Sequence, residues 1–364
     1  MPGPDVFQTS YSDARDLFLR TAAESGGQHA AYTNPNGRGP AGEDLTCDVV
    51  CIGNPNAEKV FVSICGTHGI EGYAGSAIFT DALQNDVLAD HIDDTKIVLV
   101  HAINPWGFAH QSRCTENNAD LNRNFIDPDN VPAANENYLR LHNACIPEEW
   151  TADAFCRFMD AYNELSESGG VSAVVDALFK GQYVRPDGIQ FGGRAPEWSH
   201  HTIRSIIREH AQGFKEAVLI DWHTGLGEYA TRFFLCLDDP TSESYKRMHG
   251  WYGDEFLAHA KAFSGGQVPK YSGVLCNGVA GEFGDTYLYK LIIEFGTKPN
   301  EDIFRAFLID RWIRFEGTKD TRRSDALRRE IMDCYCPEDP AWRTAILEQS
   351  RDIFRRTLSG LTEG

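Results

Sequence analysis

Two histidines in this chain follow apolar runs and are themselves followed by glycines. One lies in Val62-Ser63-Ile64-Cys65-Gly66-Thr67-His68-Gly69-Ile70-Glu71, the other in Val218-Leu219-Ile220-Asp221-Trp222-His223-Thr224-Gly225. An imidazole and a carboxylate three residues apart, as in His68 and Glu71, can reach one metal ion. His and carboxylate donors together suit Zn²⁺ or a similar divalent ion with a position left open for water. His223 would complete a three-ligand set, and its trailing glycines match those after His68. His101, at the end of Ile97-Val98-Leu99-Val100, competes for that third place. A His-x-x-Glu pair on its own is as readily a hydrogen-bonded loop contact.

A third apolar run ends in an acid, Leu291-Ile292-Ile293-Glu294. Burying a carboxylate there is costly, because desolvation opposes its charged form. Beside a metal-activated water it has a use: with its pKa raised, it can take a proton and deliver it to a leaving amine. A structural salt bridge is the plainer reading. Arg113 and Arg123 lie ten apart in a stretch that opens on the turn Asn104-Pro105-Trp106-Gly107. Guanidinium groups bind carboxylates in a fork and stabilise oxyanions, so the pair points to an anionic substrate. They could instead pair with Asp120, Asp127 or Asp129.

These groups need elements to hold them. Runs rich in Val, Ile, Leu and Phe predict strands over 46–52, 59–65, 96–101, 217–222, 232–237 and 287–295. Such runs fit strands buried on both faces by helices, so the fold class is α/β. Helical periodicity covers 74–83, 152–165, 172–179, 196–210 and 242–263, and the chain reads helical after Lys298. Ser12 and Asp13 are positioned to cap a first helix, and a polar, glycine-rich stretch over 29–42 follows it. The division expected is an N-terminal helix and lead-in over 1–44, a catalytic domain over 45–300, and a helical extension over 301–364 packed on it.

The 364 residues carry 34 Lys and Arg against 53 Asp and Glu, a net charge of −19. Nucleic acid and anionic membranes both need clustered cations, so neither is expected as a partner. The ten cysteines lack the dense spacing of a disulfide scaffold and read as buried free thiols. Cys334-Tyr335-Cys336 is one residue short of a Cys-x-x-Cys site. The first residues show neither a basic nor an apolar signal region, so a cytoplasmic protein is expected. The sequence leaves a homo-oligomer open.

In order and wording, His68-x-x-Glu71, Asn104-Pro105-x-Gly107-Phe108, Asp120-Leu121-Asn122-Arg123-Asn124-Phe125, His223 and Glu294-Phe295 resemble the zinc carboxypeptidase family, typified by carboxypeptidase A. That resemblance implies a mixed, mostly parallel eight-stranded sheet sandwiched between helices, with one Zn²⁺ at its carboxyl edge. It implies His68, Glu71 and His223 as metal ligands, Glu294 as general base, and Arg113 as the group that polarises the scissile carbonyl. Asn122 and Arg123 would grip the substrate carboxylate. The family pattern also includes a tyrosine, for which Tyr271 is preferred over Tyr287 and Tyr289.

Only eight residues separate Arg113 from Asn122. That spacing, like the Asp-Leu-Asn-Arg wording, is nearer the aspartoacylase and succinylglutamate desuccinylase branch, which removes acyl groups from amino acids. Arg194, in the loop Gln190-Phe191-Gly192-Gly193-Arg194, is a further candidate for lining the substrate pocket. The expected activity is metal-dependent cleavage of an amide bond beside a free carboxylate, in a small peptide or an N-acyl amino acid. A non-catalytic ligand-binding protein on the same fold is the reading from another class.

Overall fold

The computed structural model describes residues 6–262, 269–317 and 321–363. Met1–Asp5, on which the signal-region reading rests, lie outside the described residues, as do Phe263, residues 318–320 and Gly364. The elements run α1 (Tyr11–Glu24), β1 (Gln28–Arg38), β2 (Asp44–Gly53), β3 (Lys59–Cys65), α2 (Gly72–Gln84), β4 (Thr95–His101) and α3 (Pro105–Ala109). There follow α4 (Glu136–Cys145), α5 (Ala152–Phe179), α6 (Trp198–His210), β5 (Glu216–Tyr229), β6 (Arg232–Leu235) and α7 (Glu243–Tyr252). The last are α8 (Leu275–Gly278), β7 (Tyr287–Gly296), α9 (Asn300–Phe315), α10 (Thr321–Tyr335) and α11 (Pro340–Thr362).

The apolar runs become the middle of one sheet with strand order β1-β2-β4-β3-β5-β7-β6. Its four central strands, β4, β3, β5 and β7, are parallel. The outer pairings β1·β2, β2·β4 and β6·β7 are antiparallel. Two expectations are corrected: seven strands, not eight, lie among the described residues, and the pairings divide evenly rather than being mostly parallel. At the β1 edge the antiparallel pair needs only the short turn between Arg38 and Asp44, where a parallel neighbour would need a crossover. β1 falls in the polar 29–42 stretch, and as an edge strand it leaves most of its side chains exposed, so it carries no apolar signature.

Alternation along the central strands sets up two faces. Ile97 and Leu99 of β4, Phe61 and Cys65 of β3, and Val218, Ile220 and Trp222 of β5 pack with Phe18, Phe79 and Phe354 from α1, α2 and α11. The residues between them (Val98, Val100, Val60, Val62, Ile64, Ala217, Leu219) pack with Ile203 and Ile206 of α6 and Leu275 of α8. A third cluster joins α4, α5, α9 and α10 and includes Ile70, beside the first candidate ligands.

The helix expectations need small corrections. α1 is capped by Ser10, whose Oγ accepts from Asp13 N at 3.1 Å, in place of Ser12 or Asp13. The two helices expected over 152–179 form one element interrupted at Gly170. α7 stops at Gly253 and continues as a 3-10 stretch. All ten cysteines are free thiols, eight of them buried.

Candidate metal centre

Three adjacent parallel strands deliver their carboxyl ends to one place. In the register of the sheet Cys65 faces Trp222, so His68 leaves β3 just beyond the level of His223, and His223 is paired with Glu294 on β7. The turn after β3 is built for close approach. Gly66 has φ +71, and a Cβ there would press on Ala102. A Cβ on Gly69 would overlap the backbone of Gly107 in α3. Gly69 N and Ile70 N donate to Arg113 O and Ser112 O at 3.1 and 3.0 Å, tying the His68 turn to the arginine segment. Asp310 of α9 holds that segment from behind, accepting from Arg113 N at 2.8 Å and Ser112 Oγ at 3.1 Å.

The result is a buried cluster of His68, Glu71 and His223, whose ligand atoms lie within 4.8 Å of one another. His68 Nδ1 is 2.8 Å from Glu71 Oε1, His223 Nδ1 is 2.9 Å from Glu71 Oε2, and the two Nδ1 atoms are 3.2 Å apart. Tetrahedral bonds of about 2.0–2.1 Å to Zn²⁺ set donors about 3.3 Å apart, so two imidazoles and a carboxylate at these separations fit such an ion closely. Two like nitrogens facing each other across 3.2 Å also leave at most one proton between them, a contact a cation relieves.

Each imidazole has an acid behind its other nitrogen. Asp120 Oδ1 is 3.1 Å from His68 Nε2, and Asp221 Oδ2 is 2.9 Å from His223 Nε2, though off the line of a good hydrogen bond. Such carboxylates orient metal-binding imidazoles and fix the tautomer that offers Nδ1 inward. Asp221 is held in turn by Thr67 Oγ1 at 2.8 Å. Burial pushes the Glu71 carboxyl up, but the two histidines outweigh it and hold it at about 2. Burial likewise opposes ionisation of Asp120, and Arg113, Arg123 and His68 bring it well below the usual carboxylate range.

A cavity opens on this cluster. It is lined by His68, Glu71, Arg113, Asn122, Arg123, Tyr271 and Glu294, so most of the residues singled out in the sequence meet here. Glu294 is driven up to about 8 by burial, with Glu71 adding to the shift against the pull of His223. Its Oε2 is buried with no hydrogen-bond partner. Arg113 does pair with Asp120, Nη1 to Oδ2 at 2.6 Å, and its Nη2 rests 2.7 Å from His68 Nε2. Arg123 donates to the carbonyls of Phe179 and Asn122 at 2.9 and 2.6 Å rather than to Asp127 or Asp129, and its guanidinium lies 4.8 Å from the Tyr271 ring centroid. Asn122 is committed to Leu275 N through Oδ1 at 2.8 Å.

Other candidates lie elsewhere. His101 shares the face of Ile97 and Leu99; it stacks on Phe18 at 4.5 Å and meets Ser76 Oγ at 2.8 Å. His223 shares the opposite face with Ala217 and Leu219, so period two separates the rivals. Arg194 lines a separate cavity with Glu197, Trp198 and Arg314. Arg194 is exposed, while the residues around it are pinned by Asn124 Nδ2, which donates to Gly192 O and Ala195 O at 2.8 and 2.9 Å. Tyr287 and Tyr289 stand at the start of β7, where Tyr289 bonds Glu216 and Arg247. Sequence reasoning passed over Asp120 and Asp221 as members of the cluster, and over Tyr335, which lines the same cavity. For Asp221 the signal was present: it stands two residues before His223 and so shares its face.

No curated protein matches the chain. Among solved structures it is similar to carboxypeptidase A from Helicoverpa armigera, at 16% identity and TM-score 0.43, over 91% of this chain and 75% of that one. It is similar to a metallo-carboxypeptidase from Pseudomonas aeruginosa in complex with (2-guanidinoethylmercapto)succinic acid, at 16% identity and TM-score 0.44, over 94% and 70%. It is also similar to a Shewanella frigidimarina protein described as a succinylglutamate desuccinylase/aspartoacylase candidate, at 14% identity and TM-score 0.37, over 79% and 70%. These come from the two groups that the motif order resembles. A family described as a protein of unknown function, DUF2817, has a model that matches residues 7–349, and the chain belongs to that family.

Proposed function

We propose that this protein is a metal-dependent hydrolase, zinc being the ion its donors suit, which cleaves an amide bond beside a free carboxylate. The observation that carries the reading is the buried cluster of His68, Glu71 and His223 donors, opening on a cavity that also holds an unpartnered Glu294 oxygen and two arginines. A Zn²⁺ held by those donors would act as a Lewis acid and lower the pKa of water to about 7. Glu294, held near 8, suits the transfer of a proton from water to the departing amine. Arg123 is oriented by two backbone carbonyls and offers charge to the substrate carboxylate. When His68 carries its proton on Nε2, that proton goes to Asp120. Arg113 Nη2 is then released toward the cavity, where it can meet a developing oxyanion. Residues 45–300 supply all of these groups.

A peptide is the first reading of the substrate. The second, an N-acyl amino acid, is favoured by the eight-residue spacing of Arg113 and Asn122, which is nearer the aspartoacylase and succinylglutamate desuccinylase branch. The test is an assay of zinc-loaded protein on C-terminal peptides and on N-acyl amino acids. Glu294→Gln should keep the metal and lose about 10²–10⁴-fold in turnover. Release of acyl acids alone decides for the deacylase. Cleavage of neither class, or an active Glu294→Gln, would sink the hydrolase reading.

A further inference from the structure

Two polar atoms of residues lining the cavity are buried without a hydrogen-bond partner, Glu294 Oε2 and the hydroxyl of Tyr335. The first has a role in the proposed chemistry, and the second has none so far. An unpaired buried hydroxyl costs free energy that a phenylalanine would avoid, so a partner brought by a ligand is the natural resolution.

The tyrosine is well anchored apart from that atom. It is the last residue of α10, only 2% exposed, and its ring packs in the cluster with Ile303, Phe307 and Ile331. Thr224 Oγ1, one residue past His223, donates to Tyr335 O at 2.6 Å. The ring edge passes Gly225, where a Cβ would lie 3.6 Å from Cε1. Tyr335 lines the cavity together with the metal donors His68 and Glu71 and the oxyanion arginine Arg113. Arg113 also stacks on Phe307, 5.0 Å from its ring centroid, and Phe307 shares both the cluster and the cavity with Tyr335. Arg123 and Tyr271 form a separate pair in the same cavity.

We propose that Tyr335 is a further catalytic residue of this site, its hydroxyl donating a hydrogen bond to the oxygen of the substrate carbonyl under attack, beside Arg113. The proposal rests on the hydrolase reading. The hydroxyl keeps its proton throughout: water oxygen bonds to the carbonyl carbon, the carbon–nitrogen bond breaks, and the proton from water passes through Glu294 to the amine. Burial pushes the Tyr335 hydroxyl well above its ordinary value, against the pull of Arg113, so it remains a donor. The helices after residue 300 thereby contribute to the reaction as well as to packing.

The test compares zinc-loaded wild type, Tyr335→Phe and Glu294→Gln, measuring kcat and KM on N-acetyl amino acids and C-terminal dipeptides together with the thermal midpoint. Tyr335→Phe should lower kcat on the order of a hundredfold with little change in KM. Its midpoint should hold or rise, because the hydroxyl removed has no partner in the free protein. A kcat near that of wild type, or a fall in the midpoint that accounts for lost activity, overturns the proposal. If Glu294→Gln is dead while Tyr335→Phe is unimpaired, only the tyrosine fails. If wild type cleaves neither class, or Glu294→Gln matches it, the hydrolase reading fails and the tyrosine proposal goes with it.

Discussion

His68 and His223 each use both ring nitrogens: Nδ1 points at Glu71 and the shared centre, while Nε2 looks back at an aspartate. His101 shows the opposite use of the same residue type. It is fully buried, and desolvation lowers its pKa to about 4, with Asp48 pulling only partly the other way. The folded state thus holds a neutral imidazole where the unfolded chain gains a proton near 6.5. Its contribution to stability is complete above that value and is lost as the pH falls from 6.5 through 4. Denaturant midpoints between pH 7 and 4 should therefore fall more steeply for wild type than for His101→Gln. Parallel curves would contradict the assignment of His101 as a neutral core residue.

At the scale of elements, the turn between β3 and α2 carries the heaviest demand. His68 and Glu71 are aimed by a backbone that touches α3 so closely that Gly69 has no room for a side chain. Gly69→Ala should cost about 1–3 kcal/mol of stability through overpacking, and it should also weaken zinc binding, because relief of the clash shifts the neighbouring ligand. Unchanged unfolding and unchanged zinc affinity would show that the close packing is unimportant. The central strands were legible in the sequence because burial on both faces writes a continuous apolar run, and β3 was predicted at its observed bounds. β1 was not, since an edge strand with exposed polar side chains resembles a loop. The choice between His101 and His223 was also written in the alternation, but which face meets the cavity emerges only once α1 and α2 cover one side and α6 the other. Tyr335 could not be placed at all: it lies more than a hundred residues beyond His223 in the sequence, and only packing of α10 on the third cluster brings them together.

For the molecule as a whole, the net charge of −19 opposes an anionic substrate at long range. Arg113, Arg123 and the proposed cation would have to reverse that locally, inside a cavity where screening by salt is weak. Among the described residues no helix is long and apolar enough to cross a membrane. The acids in the cavity, Glu71 and Glu294, fit the proposed cation and proton transfer, in which one divalent ion would be held by three residues from the turn after β3 and from β5. Metal content of the protein after chelation, zinc loading and removal of excess tests this most directly. One zinc per chain is expected in wild type and in Glu294→Gln, with loss of zinc in His68→Ala and in His223→Ala and retention in His101→Gln. Absence of zinc from the loaded wild type, or full retention by His223→Ala, would contradict the account.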